Sequence, residues 1–407
     1  MNKSGSSSFN IHREGLMPQE EMLEVENKQK QLRIGIPSED HSVESRVPIT
    51  PEAVEILTGH GHEVILQAGA GQAANYPDTD YSEKGGIIAG NRQEVFATCD
   101  ILLKISPPET EEIDWMKERQ ILLSSFQDYT HSDEKYIRSL MQKRVTAIAF
   151  EKIQDEHGCF PAVRSMSAIA GTTSMLIAAE YLSNMRGGKG VMLGGITGIT
   201  PTEVVILGAG TAAEYAVRAA MGVGSVVKVF DHSIHRLRRL QSEVGAMIST
   251  SIFHPQVISK ALKSADVLIG AIRVDDNQNS FFITEEMVKE MKKGSVIIDI
   301  SIDRGGCIET SELRSQVDPV FVKHGVIHYC VPNIPSRVAR TASIAISNVF
   351  APLIVGMGEL GSTSRHLKEN IGFRHGVYIY NGILTNDKIG ARFSIPSKDI
   401  DLLMAAF

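Results

Sequence analysis

The residues with the plainest chemical content are Gly208-Ala209-Gly210-Thr211-Ala212-Ala213. They follow directly on the apolar run EVVIL (203–207) and open into AAEYAVRAAMGVG (212–224), which has helical composition. A G-x-G-x-x-A string in a strand–turn–helix setting is a phosphate cradle. Gly208 permits the tight turn, Gly210 lets the backbone approach a pyrophosphate, and Ala213 is a common variant at the third position. The helix N-terminus then offers unpaired N–H groups and a positive dipole end to the anion. About 20 residues later the run SVVKVFD ends at Asp231. A carboxylate there accepts a hydrogen bond from the adenosine ribose 2′-OH and repels a 2′-phosphate, so the expected cofactor is NAD(H) rather than NADP(H). Arg236, Arg238 and Arg239 follow closely and weaken that preference. Arg236 is the candidate cofactor contact among them; a solvated helix face is the alternative for all three.

Composition bounds the rest. With 407 residues the chain is long enough for two or three domains. Hydrophobic residues at 43% and charged residues at 22% match a globular protein with a real core. The net charge of −7 and the lack of a Lys/Arg run argue against a nucleic-acid partner. Cys99, Cys159, Cys307 and Cys330 are scattered, without the paired spacing of a zinc site or a disulfide framework. Buried or half-buried thiols in a reducing compartment are expected instead. No uninterrupted apolar stretch is expected to reach the ~18 residues of a membrane helix. The N-terminus lacks the apolar block of a signal peptide, so a cytoplasmic location is expected. Residues 1–31, Ser-rich and then Glu/Lys/Gln-rich, read as a flexible extension.

These groups need a frame, and the sequence supplies an alternating one. RIGIP (33–37), EVILQ (63–67), DILLKI (100–105), QILLSS (120–125) and VTAIAF (145–150) are short apolar runs of the kind buried in a largely parallel sheet. PEAVEILTGH (51–60) has helical spacing, with Thr50 as N-cap and Pro51 at the first position. Residues 165–185 read as a long helix joining two halves. Five further strand candidates, 203–207, 225–231, 266–272, 295–301 and 326–331, alternate with helical spacers. That order implies a doubly wound parallel sheet with right-handed crossovers. The last ~65 residues read as a mixed helical pattern packed back on the first domain.

Seven stretches together carry a family resemblance: RIGIPSE (33–39), RVPITPEAVEIL (46–57), GHEVILQAGAG (61–71), MSAIAG (166–171), GGI with PTEVVILGAGTAA (194–213), KGSVIIDISIDRGGCIE (293–309) and CVPNIP (330–335). From Arg33 to nearly the C-terminus the chain resembles the alanine dehydrogenase and nicotinamide-nucleotide transhydrogenase α-subunit family. The resemblance implies an α/β fold of two Rossmann-like doubly wound parallel-sheet domains with the active site in the cleft between them. A discontinuous substrate domain, 32–161 plus 341–407, would flank an NAD-binding domain, 162–340.

It also implies roles. Arg46 matches the arginine that grips the substrate carboxylate, and a surface ion pair is the alternative. Asp303, in DISIDRGGCIE, matches the catalytic aspartate; a turn-stabilising Asp is the alternative. Asn333, in CVPNIP, sits where alanine dehydrogenases carry V-x-N-M-P. Met166 matches a pocket methionine, or is core. Ser167 matches a cofactor contact, or is incidental. Two departures stand out. Ser106, in LLKISPP (102–108), replaces the second Lys of L-L-K-x-K-E-P, while Lys104 matches the first and should share a strand face with Ser106. Gln127 replaces the histidine expected after the next strand, and a neutral Gln is neither acid nor base near pH 7. His131, four residues beyond Gln127, is the substitute if a rearranged loop carries it into the cleft.

The runs around Asp303 and Asn333 lean toward alanine dehydrogenase: L-alanine, NAD+ and water to pyruvate, ammonia and NADH. The partners implied are an amino acid or 2-keto acid and further copies of the chain, as a hexamer or dimer. A transhydrogenase-like NAD(H)-binding subunit, a dehydrogenase of another amino or imino acid, and a non-catalytic NAD-responsive regulator are the alternatives.

Overall fold

The computed structural model describes residues 31–126, 133–272 and 282–405. The first sheet takes β1 (Arg33–Ile36), β2 (Glu63–Gln67), β3 (Ile87–Ala89), β4 (Ile101–Leu103), β5 (Ile121–Ser124) and β6 (Thr146–Ala149) from the N-terminal part. The second takes β7 (Glu203–Leu207), β8 (Val226–Phe230), β9 (Ser249–Ser251), β10 (Val267–Gly270), β11 (Val296–Asp299), β12 (Val320–Lys323) and β13 (Val326–Tyr329). The chain then returns to the first sheet with β14 (Val377–Tyr380) and β15 (Ile383–Leu384). The orders are β15-β14-β6-β5-β4-β1-β2-β3 and β12-β13-β11-β10-β7-β8-β9. Pairing is parallel except at one edge of each sheet, where β14, β15 and β12 run antiparallel.

The central strands are apolar at nearly every position because helices cover both faces. β5, β10, β11 and β13 are buried throughout. Alternation along a strand sends neighbours to opposite faces. Val204 and Ile206 of β7 thus join one core with Ala213 and Val217, while Val205 and Leu207 join another with Leu268 and Ile297. In the first sheet Ile34, Ile36, Ile101 and Leu103 pack with Ile346, Phe350 and Ile354 of the Ala339–Glu359 helix.

Three readings need correction. Terminal residues of the expected strands fall outside the ladders, as at 100–105, where only Ile101–Leu103 pairs. The joining helix spans Pro161–Leu182, because Pro161 sets the first helical position. The C-terminal stretch is not simply helical: VYIY (377–380) pairs antiparallel with β6, and Ile383–Leu384 pairs on it as the sheet edge. A fourth concerns length. Ile334–Glu359 is long and apolar enough to cross a membrane by length and composition alone, yet its buried side chains lie in the first-sheet core.

The order reverses between β1 and β4 in one sheet and between β7 and β10 in the other. At such switch points adjacent connections leave on opposite faces and open a crevice at the carboxyl ends of the strands. The candidate residues follow those ends.

Candidate active site

On the second sheet, Gly208 has φ +104°, and a Cβ there would lie 2.5 Å from the Ala271 carbonyl oxygen just past β10. Glycine is required twice over, by conformation and by space. Gly210 is the N-cap of the Thr211–Gly222 helix, and a Cβ on it would meet nothing within 4 Å. The cradle is open where a pyrophosphate would approach, above the first N–H groups of a three-turn helix. Ala213 is fully buried against the sheet.

Asp231 is 2% exposed; its Oδ2 accepts from Ala209 N–H and its Oδ1 from Ser233 N–H, both at 2.8 Å. The carboxylate therefore ties the glycine turn to the end of β8, and each oxygen keeps capacity for a ribose hydroxyl. The residues fit a dinucleotide. Arg236 lies exposed on the first turn of the Ile234–Val244 helix, whereas Arg239 reaches back to donate from Nη2 to Ala209 O at 3.3 Å.

The Pro161–Leu182 helix links this cradle to the substrate side. Gly171 packs on the glycine turn so closely that a Cβ would sit 2.9 Å from the Ala212 carbonyl carbon and nearer still to its oxygen. Met166, five residues earlier and so about 7.5 Å along the axis, lies 3.2 Å through Sδ from Arg46 Nη1. Ser167 lies half-buried between them.

Arg46 leaves the loop after β1, with its side chain 10% exposed. Its Nε donates to Glu44 Oε1 at 2.7 Å and its Nη2 to Glu44 Oε2 at 2.5 Å. Glu44 also accepts from Asn333 Nδ2 at 2.8 Å and Ser336 Oγ at 3.2 Å, both from the segment after β13. The carboxyl ends of β1 and β13 thus meet through one carboxylate. Burial works against the charge of Glu44, but Arg46 and these hydrogen bonds outweigh it and hold the carboxyl below the usual carboxylate range.

At the end of β4 the expected alternation does not run on. The strand stops at Leu103, and Lys104 turns into a buried pair with Glu39 (3.5 Å) and Glu112 (3.8 Å). Glu39 accepts from Ile105 N–H at 2.6 Å and from the N–H of half-buried Ser106 at 3.4 Å. Burial raises the Glu39 carboxyl pKa, with Lys104 opposing.

Asp303 lies exposed in a single 3-10 turn, Ile302–Arg304, beyond β11. Asp299, at the end of β11, is the buried acid of that run. It accepts from Ser301 Oγ (2.6 Å), Ser311 Oγ (2.8 Å) and Cys307 N–H (3.1 Å), and burial raises its carboxyl pKa against them. It braces the turn that presents Asp303. Gln127 and His131 lie outside the described residues. Cys99, Cys307 and Cys330 are buried free thiols and Cys159 is half-buried.

Sequence reasoning passed over Glu44, Ser336 and Asp299, and it named Arg239 without making it the candidate contact. The signal for Glu44 is its place two residues before Arg46, on the same side of an extended segment.

Residues 35–170 match the family model "Alanine dehydrogenase/PNT, N-terminal domain", and residues 174–387 match "Alanine dehydrogenase/PNT, C-terminal domain". An alanine dehydrogenase of Mycolicibacterium smegmatis is 35% identical over 376 residues, 92% of this chain and 100% of that protein. A solved L-alanine dehydrogenase superposes with a TM-score of 0.82 at 31% identity, covering 89% of this chain and 99% of that one. A transhydrogenase from Sinorhizobium meliloti superposes at 0.73 with 22% identity, covering 88% and 99%, a likeness of fold. Matched in both halves and over nearly its whole described length, the chain belongs to the alanine dehydrogenase/PNT family, whose members work with a nicotinamide cofactor.

Proposed function

We propose that the protein is an NAD-dependent alanine dehydrogenase, interconverting L-alanine, NAD+ and water with pyruvate, ammonia, NADH and a proton. The observation that carries this reading is Arg46: Glu44 holds one edge of its guanidinium, and among the described residues the other edge meets only the Met166 thioether, a weak acceptor. That second edge suits a substrate carboxylate, which takes a guanidinium in a bidentate pair. The 35% identity to an alanine dehydrogenase over 92% of the chain supports it.

NAD, when bound at Gly208, Gly210 and Asp231 with Ser167 and Arg236 at its margin, supplies the hydride acceptor. Arg46 anchors the substrate carboxylate. Asn333 spends one amide N–H on Glu44 and has a second for the carbonyl oxygen. Met166 walls the side-chain pocket, and Ser106 offers a hydroxyl where relatives have a lysine. Asp303, together with His131 as the sequence's candidate second group, takes the protons released as the amine becomes an imine and water displaces ammonia.

Ser106 favours one second reading: loss of the lysine cation fits a dehydrogenase of another amino or imino acid. NADH oxidation with pyruvate plus ammonium, beside NADH binding by fluorescence, tests both readings. Turnover lost in Arg46→Ala and Asp303→Ala supports the alanine dehydrogenase. NADH binding with no turnover on pyruvate rejects it; a panel of other 2-keto acids then tests the second reading, and a transhydrogenase-like subunit remains if none is reduced.

A further inference from the structure

Glu44 is 3% exposed, yet it touches both halves of the molecule. Its Oε1 accepts from Arg46 N–H (2.9 Å), Arg46 Nε (2.7 Å) and Ser336 Oγ (3.2 Å). Its Oε2 accepts from Arg46 Nη2 (2.5 Å) and Asn333 Nδ2 (2.8 Å). A carboxylate has about four good acceptor positions, so this one is fully engaged. It has no capacity left for substrate and no reason to carry a proton. Its work is geometric.

The chain around it is fastened in the same way. The N–H of Ser45 donates to Ser336 Oγ (2.8 Å), that of Val47 to Ser343 Oγ (2.9 Å), and that of Thr50 to Ser347 Oγ (3.1 Å). Ser336 lies in the turn that leads into the Ala339–Glu359 helix, and Ser343 and Ser347, four residues apart, stand on one face of it. The strap 44–50 is therefore held at intervals, and Glu44 and Ser45 are the points where it also grips the segment after β13.

We infer that Glu44 is a positioning residue: it sets the free edge of Arg46 at a fixed spacing from Asn333 across the cleft, so that a substrate carboxylate and the neighbouring carbonyl or amine are met together. This rests on the reading of Arg46 and Asn333 as substrate contacts. Without Glu44 the guanidinium has rotamer freedom, and Met166 Sδ is too weak an acceptor to hold it. A carboxamide at 44 would also set an N–H2 against a donor that now has an acceptor.

Three full-length variants test this: Glu44→Gln, Glu44→Asp and Glu44→Ala, each with its thermal midpoint measured. In Glu44→Gln the KM for pyruvate should rise about tenfold to a hundredfold, the scale of a lost charge-assisted hydrogen bond, with a far smaller change in kcat. Glu44→Asp, keeping the charge on a shorter arm, should recover part of that loss. Independently of turnover, phenylglyoxal modification of Arg46, followed by peptide mass spectrometry, should be several-fold faster in Glu44→Gln and Glu44→Ala than in the parent. Folded variants with unchanged KM and unchanged Arg46 reactivity overturn the inference. A fall in kcat with KM unchanged also overturns it. If the parent itself does not reduce pyruvate, the substrate reading fails, and the Arg46 reactivity still decides the role of Glu44.

Discussion

Replacing Gly171 by alanine tests whether one helix really couples the two clusters. The added methyl would lie 2.9 Å from the Ala212 carbonyl carbon and closer to its oxygen, inside the 3.0 Å below which real Cβ atoms essentially never sit. The obstacle is backbone of the Thr211–Gly222 helix, so no side-chain rotation relieves it. The two helices must part by about 1 Å to restore a normal carbon–oxygen contact. Overpacking of this kind costs about 1–3 kcal/mol, and each kcal/mol lowers the thermal midpoint by about 2–4 °C in a domain of this size. The displacement acts on the glycine turn at one end and on Met166, and so Arg46, at the other. A misplacement of about 1 Å at a reacting centre costs up to about 100-fold in rate. Differential scanning fluorimetry, NADH titration and steady-state rates should all change, the rate most. A Gly171→Ala protein with the parent's midpoint and NADH affinity would show that the helices do not meet at Gly171, and the coupling argument would fall with it.

Two other predictions concern charge. Burial lowers the pKa values of His62, His328 and His366, with His328 pushed down to about 4. Unfolded imidazoles protonate near about 6.5, so these groups stabilise the fold fully above that pH and progressively less as pH falls toward about 4. Urea midpoints should drop on acidification through this window. Glu39 and Asp299, raised by burial, act in the opposite sense, so His328→Gln must flatten the profile relative to the parent; an identical profile refutes the assignment. At Ser106, a lysine would find Glu39 already beside the backbone. Ser106→Lys should raise kcat/KM for pyruvate about tenfold or more if alanine is the substrate, on the scale of a charge-assisted hydrogen bond; a fall, with another keto acid preferred by the parent, points to a different substrate.

The sequence was legible where chemistry is local. The glycine turn needs only its own residues and the strand before it, so Gly208, Gly210 and Asp231 stand where the spacing places them. Strands buried on both faces announce themselves as apolar runs. VYIY (377–380) did not, because its pairing with β6 spans more than 200 residues and its local partner, Ile383–Leu384, is only two residues long. Asp299 and Asp303 share one short run; which of them is buried depends on Ser311 and Cys307 folding back over it, and spacing does not carry that. Arg239 rather than Arg236 touches the glycine turn for a similar reason: reach across a helix turn decides, not proximity in sequence to Asp231.

Glu44 is the most instructive of these, since its partner Asn333 is 289 residues away. What makes their meeting intelligible is topology. Each sheet has one switch point, and the loops that leave it carry the polar residues because neither face there is roofed by a helix. In the first sheet those loops bring Glu39, Glu44, Arg46 and Lys104; in the second they bring the glycine turn, and Asp299 ends the neighbouring strand β11. The buried cations among them are matched, Lys104 with Glu39 and Glu112 and Arg46 with Glu44, while Asp299 is held by hydroxyl and backbone donors. Matching is what burial demands, because one unpaired partner would cost several kcal/mol. It also leaves no excess positive charge among these groups before any ligand arrives. On the proposed reading a substrate carboxylate takes the outer edge of Arg46 and gains affinity there from geometry rather than from excess positive charge. On that reading, with Ser106 where the resemblance leads one to expect a lysine, Arg46 is the cation left to meet the substrate, which is why the residue that aims it should matter.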